Sequence, residues 1–243
     1  MTDTNNREYT PREGAPDDLE YLPEEERSRL PGIFSLPPDK KLIHGPLQIF
    51  FLMLVTSIVY WSYPQGKYLA ASGKLVFQNG EYWRLVTALF THGDLAHLLA
   101  NGWIFVLFGW MLRTYFGFWA FPAASFGAGI LTNVVTVYLY PPETGLIGAS
   151  GMVHSMVALW IVWYIFFDRE RSVGQRLLRA TGFSLAMLVP AVVKPGVSYL
   201  AHGVGFVAGI GFSLLIFLPV KRRIAGIEKK IKEDFIQYEE EQL

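Results

Sequence analysis

The chain has 243 residues, of which 51% are hydrophobic and only 17% charged, and its mean hydropathy of +0.28 is too high for an ordinary soluble domain of this length. Its 21 Lys and Arg balance its 21 Asp and Glu, so no global field draws it towards nucleic acid. With Cys at 0, disulfide and thiolate chemistry are excluded, and a metal site would have only His and carboxylates to draw on.

Residues 1–40 are rich in Pro, Glu, Asp and Arg and hold no long apolar run. They read as a largely disordered cytoplasmic tail without a signal-peptide core, with a short helix around Glu24 to Leu30 as the structured alternative. Beyond them, charge-free stretches of about 20 residues mark membrane spans. The first is centred on Leu47 to Tyr60. The second follows Asp94 and ends before Arg113, and the third runs from about Phe116 to Tyr140. The fourth runs from about Gly148 to Phe167 and the sixth from about Val197 to Val220. The fifth is short, because Arg179 and Lys194 leave only Ala180 to Val193 between them, a length shared by re-entrant and surface segments. Long basic side chains at its ends can snorkel and make it a crossing.

The basic residues set the orientation. Lys40, Lys41, Arg113, Arg169, Arg171, Arg176, Arg179, Lys221, Arg222 and Arg223 fall on one side of a six-span chain, and only Lys67, Lys74, Arg84 and Lys194 on the other. Both termini are therefore expected in the cytoplasm, and the bias favours a true fifth crossing. The first outer loop, about 64–93, mixes Tyr68, Phe77, Tyr82, Trp83 and Phe90 with small and polar residues, as suits the headgroup region. After span six, Ile224, Ile227, Ile231 and Phe235 recur at helical spacing among Lys229, Lys230 and Lys232. That pattern fits an amphipathic helix on the inner leaflet or a solvated one. The expected organisation is a tail (1–40), an all-α six-span bundle (41–220) and a cytoplasmic amphipathic segment (221–243).

Ionisable groups at membrane depth are costly, so each one is a candidate for function. His92, His97 and Asn101 lie at the start of span two, Ser150 and His154 at the start of span four, and His202 at the start of span six. Even-numbered spans all begin at the outer face, so these groups share one depth. His97 and Asn101, four apart, lie on one helix face, where they can address one centre or act as interhelical hydrogen-bonding groups. His92, a turn further out, reads as a loop anchor. Gly148-Ala149-Ser150-Gly151 leaves Ser150 in a first helical turn, where unpaired amides and the helix dipole suit an oxyanion; small residues there are also ordinary packing elements. His202 lies three residues before Gly205, with Gly209 four further on, so one cleared face carries the imidazole towards span four. Alternatively that His is structural and bonded to a carbonyl. Ser with His supplies a nucleophile and a general base. No carboxylate lies within a span, and Asp94 at the mouth of span two is the only nearby candidate, which favours a dyad.

Taken together, His92-x4-His97-x3-Asn101, Gly148-x-Ser150-Gly151 and Ala201-His202-x2-Gly205-x3-Gly209, with Trp83-Arg84 in the outer loop, resemble the rhomboid family of intramembrane serine proteases over about residues 45 to 220. The resemblance implies a six-helix bundle in the cell membrane, its active site open to the outside, that cleaves transmembrane protein substrates in or near their membrane segment, with small residues preferred at the scissile position. It implies Ser150 as nucleophile, His202 as base, His97 and Asn101 as oxyanion partners, and no cofactor. Trp83 and Arg84 would steady the outer loop, and the short fifth span would fit a lateral substrate gate. Many bacterial members carry a Tyr that stacks on the base where this chain has His154, which can stack likewise, compete as base or lower activity. Two other readings are a catalytically silent rhomboid-like protein that binds membrane clients, and a metal-dependent hydrolase or metal carrier using His92, His97, His154 and His202. A short chain without a targeting segment suits a bacterial inner membrane.

Overall fold

The structure, a computed structural model, describes residues 32–192 and 198–241. Eight α-helices occur among the described residues: α1 (His44–Ser62), α2 (Arg84–Phe90), α3 (Leu95–Phe116), α4 (Ser125–Leu139), α5 (Ser150–Phe167), α6 (Val173–Val192), α7 (Tyr199–Leu215) and α8 (Phe217–Glu241). The β-pairing among the described residues is an isolated bridge between Ala71 and Leu146. The fold is an all-α membrane bundle.

α5 is the central helix. Its span is 72% buried, against 17% for the span containing α1, which identifies α1 as the peripheral, lipid-facing element. Met156, Val157, Ala158 and Leu159, four successive residues that cover every face, are wholly enclosed, so the middle of α5 is apolar all round, as a buried helix is. It makes its most extensive contact with α7, and the reason lies in two glycines. A Cβ on Gly205 would collide with the carbonyl oxygen of Gly151, and one on Gly209 with that of Ser155. The two backbones touch, an approach that only small residues permit. Across the same region a Cβ on Gly129 of α4 would fall 2.8 Å from that of Met152.

The helix ends follow their local chemistry. Asp94 caps α3 by accepting the His97 amide at 2.7 Å, and Gly117, with φ 80°, ends it while its N–H returns to the carbonyls of Leu112 and Arg113, as the left-handed C-terminal position requires. Ser198 caps α7 through the Ala201 amide. Expected spans one to four correspond to Lys40–Ser62, Leu95–Phe116, Trp119–Leu139 and Ser150–Phe167, each long and apolar enough to cross a membrane. A fifth crossing is counted if Tyr199–Leu215 and Phe217–Phe235, bent by 65°, form one span. α6, the expected fifth span, is not among them. It begins at Val173, earlier than expected, and carries Arg176 and Arg179 in its first half. The expected end at Val193 and the expected sixth-span start at Val197 lie outside the described residues.

Two peripheral segments differ from expectation. The tail read as 1–40 lies outside the described residues up to 31, yet from residue 33 it is packed. Ile33 is buried, Phe34 sits among Tyr115, Trp160 and Tyr164 at ring separations of 5.3, 5.6 and 5.1 Å, and Tyr115 donates its hydroxyl to Leu36 O. Gly32 N and Ser35 Oγ both donate to the Glu170 carboxylate. In α8, Val220 and Ile224 are buried, and the partly buried Ile227 and Ile231 pack against the same core. The apolar stripe is spent on the bundle itself, because the bend after Ile216 folds α8 back under it.

At the start of α2, Arg84 is 2% exposed. Its Nε donates to Glu81 at 2.6 Å, Nη1 donates to the carbonyls of Tyr68 and Ala70, and its guanidinium lies 4.6 Å from the Trp83 ring centroid. Glu81 is held below the usual carboxylate range by the Arg84 hydrogen bond.

Candidate active site

The starts of α3, α5 and α7 meet at one end of the bundle. Ser150 is the first residue of α5 and is half-buried. Before it, Gly148 takes φ 110°, a conformation that side chains resist. A Cβ there would also fall 2.8 Å from Cε1 of His97, so His97 lies directly over the link into α5. Ala149 provides no side-chain cap, which leaves the first amides of α5 without that partner at the positive end of the helix dipole.

α7 delivers His202 to the same place. A Cβ on Gly151 would lie 3.2 Å from Ala201 O, so the residue after Ser150 touches the residue before His202. One turn along α5, the His154 ring stacks on that of His202 with centroids 3.9 Å apart and planes 15° from parallel. Just past Ser150, α5 thus makes two contacts with α7, one to Ala201 and one to His202. His154 Nδ1 lies 2.7 Å from the Ser150 carbonyl oxygen; since a carbonyl only accepts, that nitrogen carries a proton and donates. His202 is 8% exposed and Asn101 5%. Asn101 donates one amide hydrogen to His97 O at 3.1 Å, leaving its second for another acceptor.

His92 stands in the link between α2 and α3. Its ring meets that of His97 edge to face at 5.1 Å, and its Nε2 accepts the Ala149 amide at 3.3 Å. Burial, with a smaller contribution from His97, pushes its pKa down to about 3. Every candidate on α3, α5 and α7 is therefore found at one end of the bundle. Trp83 and Arg84 lie apart, at the start of α2. Among the described residues, no three His, Cys, Asp or Glu side chains are grouped so as to hold a metal ion.

Three polar residues near the site were not singled out from sequence. Ser198, whose Oγ is 2.6 Å from Tyr140 Oη, fixes the start of α7 and ties it to the end of α4; a Ser three residues before the Ala201 amide is a readable cap signal. Ser57 of α1 binds His92. A lone serine in an apolar span carries no such signal, because it reads equally as a packing residue.

A multi-pass helical membrane protein with a half-buried Ser beside a buried His and Asn at one end is the class defined by this arrangement. The family model for the Rhomboid domain matches residues 79–219, more than half of the chain, and the chain belongs to the rhomboid family. It is 28% identical over 185 residues to YdcA of Bacillus subtilis (strain 168), named provisionally as a rhomboid protease, covering 74% of this chain and 86% of that protein. It is 29% identical over 99 residues to rhomboid-like protease 2 of Toxoplasma gondii, covering 39% of this chain and 35% of the relative. With the mitochondrial RHOMBOID-like protein 6 of Arabidopsis thaliana it shares 28% identity over 158 residues, 60% of this chain and 48% of the relative. The chain thus spans most of the Bacillus protein but less than half of the other two.

Proposed function

We propose that this chain is an intramembrane serine endopeptidase that cleaves transmembrane proteins in or near their membrane segment. The observation that carries the reading is the junction of α5 and α7, where the Gly151–Ala201 approach and the His154–His202 stack bring His202 against the start of the helix that Ser150 begins. In this reading Ser150 Oγ attacks the scissile carbonyl while His202 takes its proton, and His202 then returns the proton to the leaving amine. The oxyanion is received by the uncapped amides at the start of α5, the remaining Asn101 hydrogen and His97. Water attacks the acyl ester, His202 again acting as base, and Ser150 is regenerated.

His154 stacks and steadies the base, Trp83 and Arg84 hold the outer loop, and Gly148, Gly151, Gly205 and Gly209 let the backbones converge. No cofactor enters this scheme. The reading keeps both termini in the cytoplasm and the site open to the outer side of a bacterial cell membrane, supported by the distribution of Lys and Arg and by the extent of the match to the Bacillus protein. Residues 41–220 form its catalytic body, flanked by cytoplasmic segments.

In a reconstituted assay with a model transmembrane substrate, Ser150→Ala and His202→Ala are each expected to abolish cleavage. Asn101→Ala is expected to lower kcat by about 10²-fold with little change in KM. Retained cleavage by Ser150→Ala overturns the proposal, and loss on chelation alone would favour the metal-dependent reading.

A further inference from the structure

Among the described residues, His92 is the only ionisable side chain with 0% exposure, and the proposed reaction does not use it. A nitrogen that accepts an N–H bears no proton, so the 3.3 Å contact from Ala149 N to Nε2 places the imidazole proton on Nδ1. Nδ1 lies 3.4 Å from Ser57 Oγ, and the ring also bonds the Phe90 backbone. Ser57 Oγ in turn accepts the His92 amide at 3.1 Å, and the His92 carbonyl receives the Trp61 indole N–H at 2.8 Å. The ring is held from α1 on one side and offers a single lone pair on the other.

That lone pair meets the peptide just before the nucleophile. The link into α5 is fixed at Gly148 N, which donates to Ala88 O at 2.9 Å, and at Ala149 O, which accepts Val153 N at 2.8 Å. Between these points lies the Gly148–Ala149 peptide, next to a glycine, the residue type with the freest torsions. His92 is the partner that holds its amide.

We infer that His92 is a positioning residue: by accepting the Ala149 amide it orients the Gly148–Ala149 peptide, and with it the Ser150 hydroxyl and the first amides of α5. The inference rests on the reading of Ser150 as nucleophile. Its effect belongs to reactivity as well as stability, because a hydroxyl and its oxyanion donors must share one geometry.

The test uses the full chain in detergent micelles. The rate constant for labelling by a fluorophosphonate is measured per labelled molecule, beside kcat, KM and the unfolding midpoint, for the wild type, His92→Leu and His92→Gln. Leu fills the space without an acceptor, whereas the Gln carboxamide oxygen can take the place of Nε2. His92→Leu is expected to label and turn over about 10-fold or more slowly per labelled molecule with KM unchanged, and His92→Gln to recover to within about threefold of the wild type. A merely structural residue would lower the unfolding midpoint and the labelled fraction but leave the rate per labelled molecule alone. Equal rates in His92→Leu and wild type, or no recovery in His92→Gln, overturn the inference. Should His92→Leu give no folded fraction, His92→Asn, polar but too short to reach Ala149, takes its place with the same expectations. A wild type that is not labelled at Ser150 overturns both this inference and the proposed function; a labelled wild type with indifferent variants overturns this inference alone.

Discussion

His154 and His92 flank the same serine from opposite sides and differ in what their nitrogens do. His154 commits Nδ1 to the Ser150 carbonyl and its face to His202, so in the proposed reaction it supports the base by contact and leaves His202 to take the proton. If the ring face is what matters, His154→Phe keeps most of the activity, while His154→Ala lowers kcat about 10-fold; equal losses in the two would show that Nδ1 matters more than stacking.

His92 instead must stay neutral. Its folded pKa, about 3, lies below the 6.5 of a free imidazole, so between those values the unfolded chain binds a proton that the folded chain excludes. Stability is therefore complete above about pH 6.5 and falls as pH drops through that window, by up to about 1.4 kcal/mol per unit. The ionisable groups around His92 are His97 and Asp94 of the α3 start, and Ser57 of α1 is neutral. Unfolding midpoints followed from pH 7.5 down to 4.5 should decline more steeply in the wild type than in His92→Gln. Parallel curves would remove His92 from the titration.

At the level of elements, the α5–α7 contact sets the site, and one substitution probes it. Gly205→Ala puts a methyl group against the Gly151 backbone, which cannot yield as a flexible side chain does, so the helices must separate. A loss of about 1–3 kcal/mol is expected, with a further fall in kcat because His202 moves with α7. Gly211→Ala, on the same helix with nothing within 4 Å of the added carbon, should be neutral or stabilising by up to about 1 kcal/mol. Thermal unfolding in one detergent compares the two, and equal effects would contradict a backbone-to-backbone contact.

This contact was legible in sequence because Gly205 and Gly209 leave a periodic mark. The placement of α8 was not. Its Ile224, Ile227 and Ile231 repeat is the same whether the stripe faces lipid, water or protein, and only the bend after Ile216 decides. Residues 33–36 were missed for a related reason: one Ile and one Phe in a Pro-rich stretch form no period, and their burial depends on the aromatic pocket made by Tyr115, Trp160 and Tyr164, which is far away in sequence.

For the whole molecule, charge-free length marks six spans, four of which match helices long and apolar enough to cross a membrane, and the parity of the six places His97, Asn101, Ser150, His154 and His202 at one end. The same ruler does not decide α6, where Arg176 and Arg179 lie within the helix and length no longer separates a crossing from a surface segment. Sequence also gave the residue types of the site without their partners, since hydrogen bonds such as Ala149 to His92 join segments 57 residues apart. The central claim is that one serine, at the start of α5, is a nucleophile reached from the outer side. A membrane-impermeant fluorophosphonate applied to intact cells, with the modified peptide identified by mass spectrometry, tests it most directly. The account predicts a single adduct on Ser150, lost in Ser150→Ala and strongly reduced in His202→Ala; an adduct elsewhere, or none from outside while opened membranes are labelled, would contradict it.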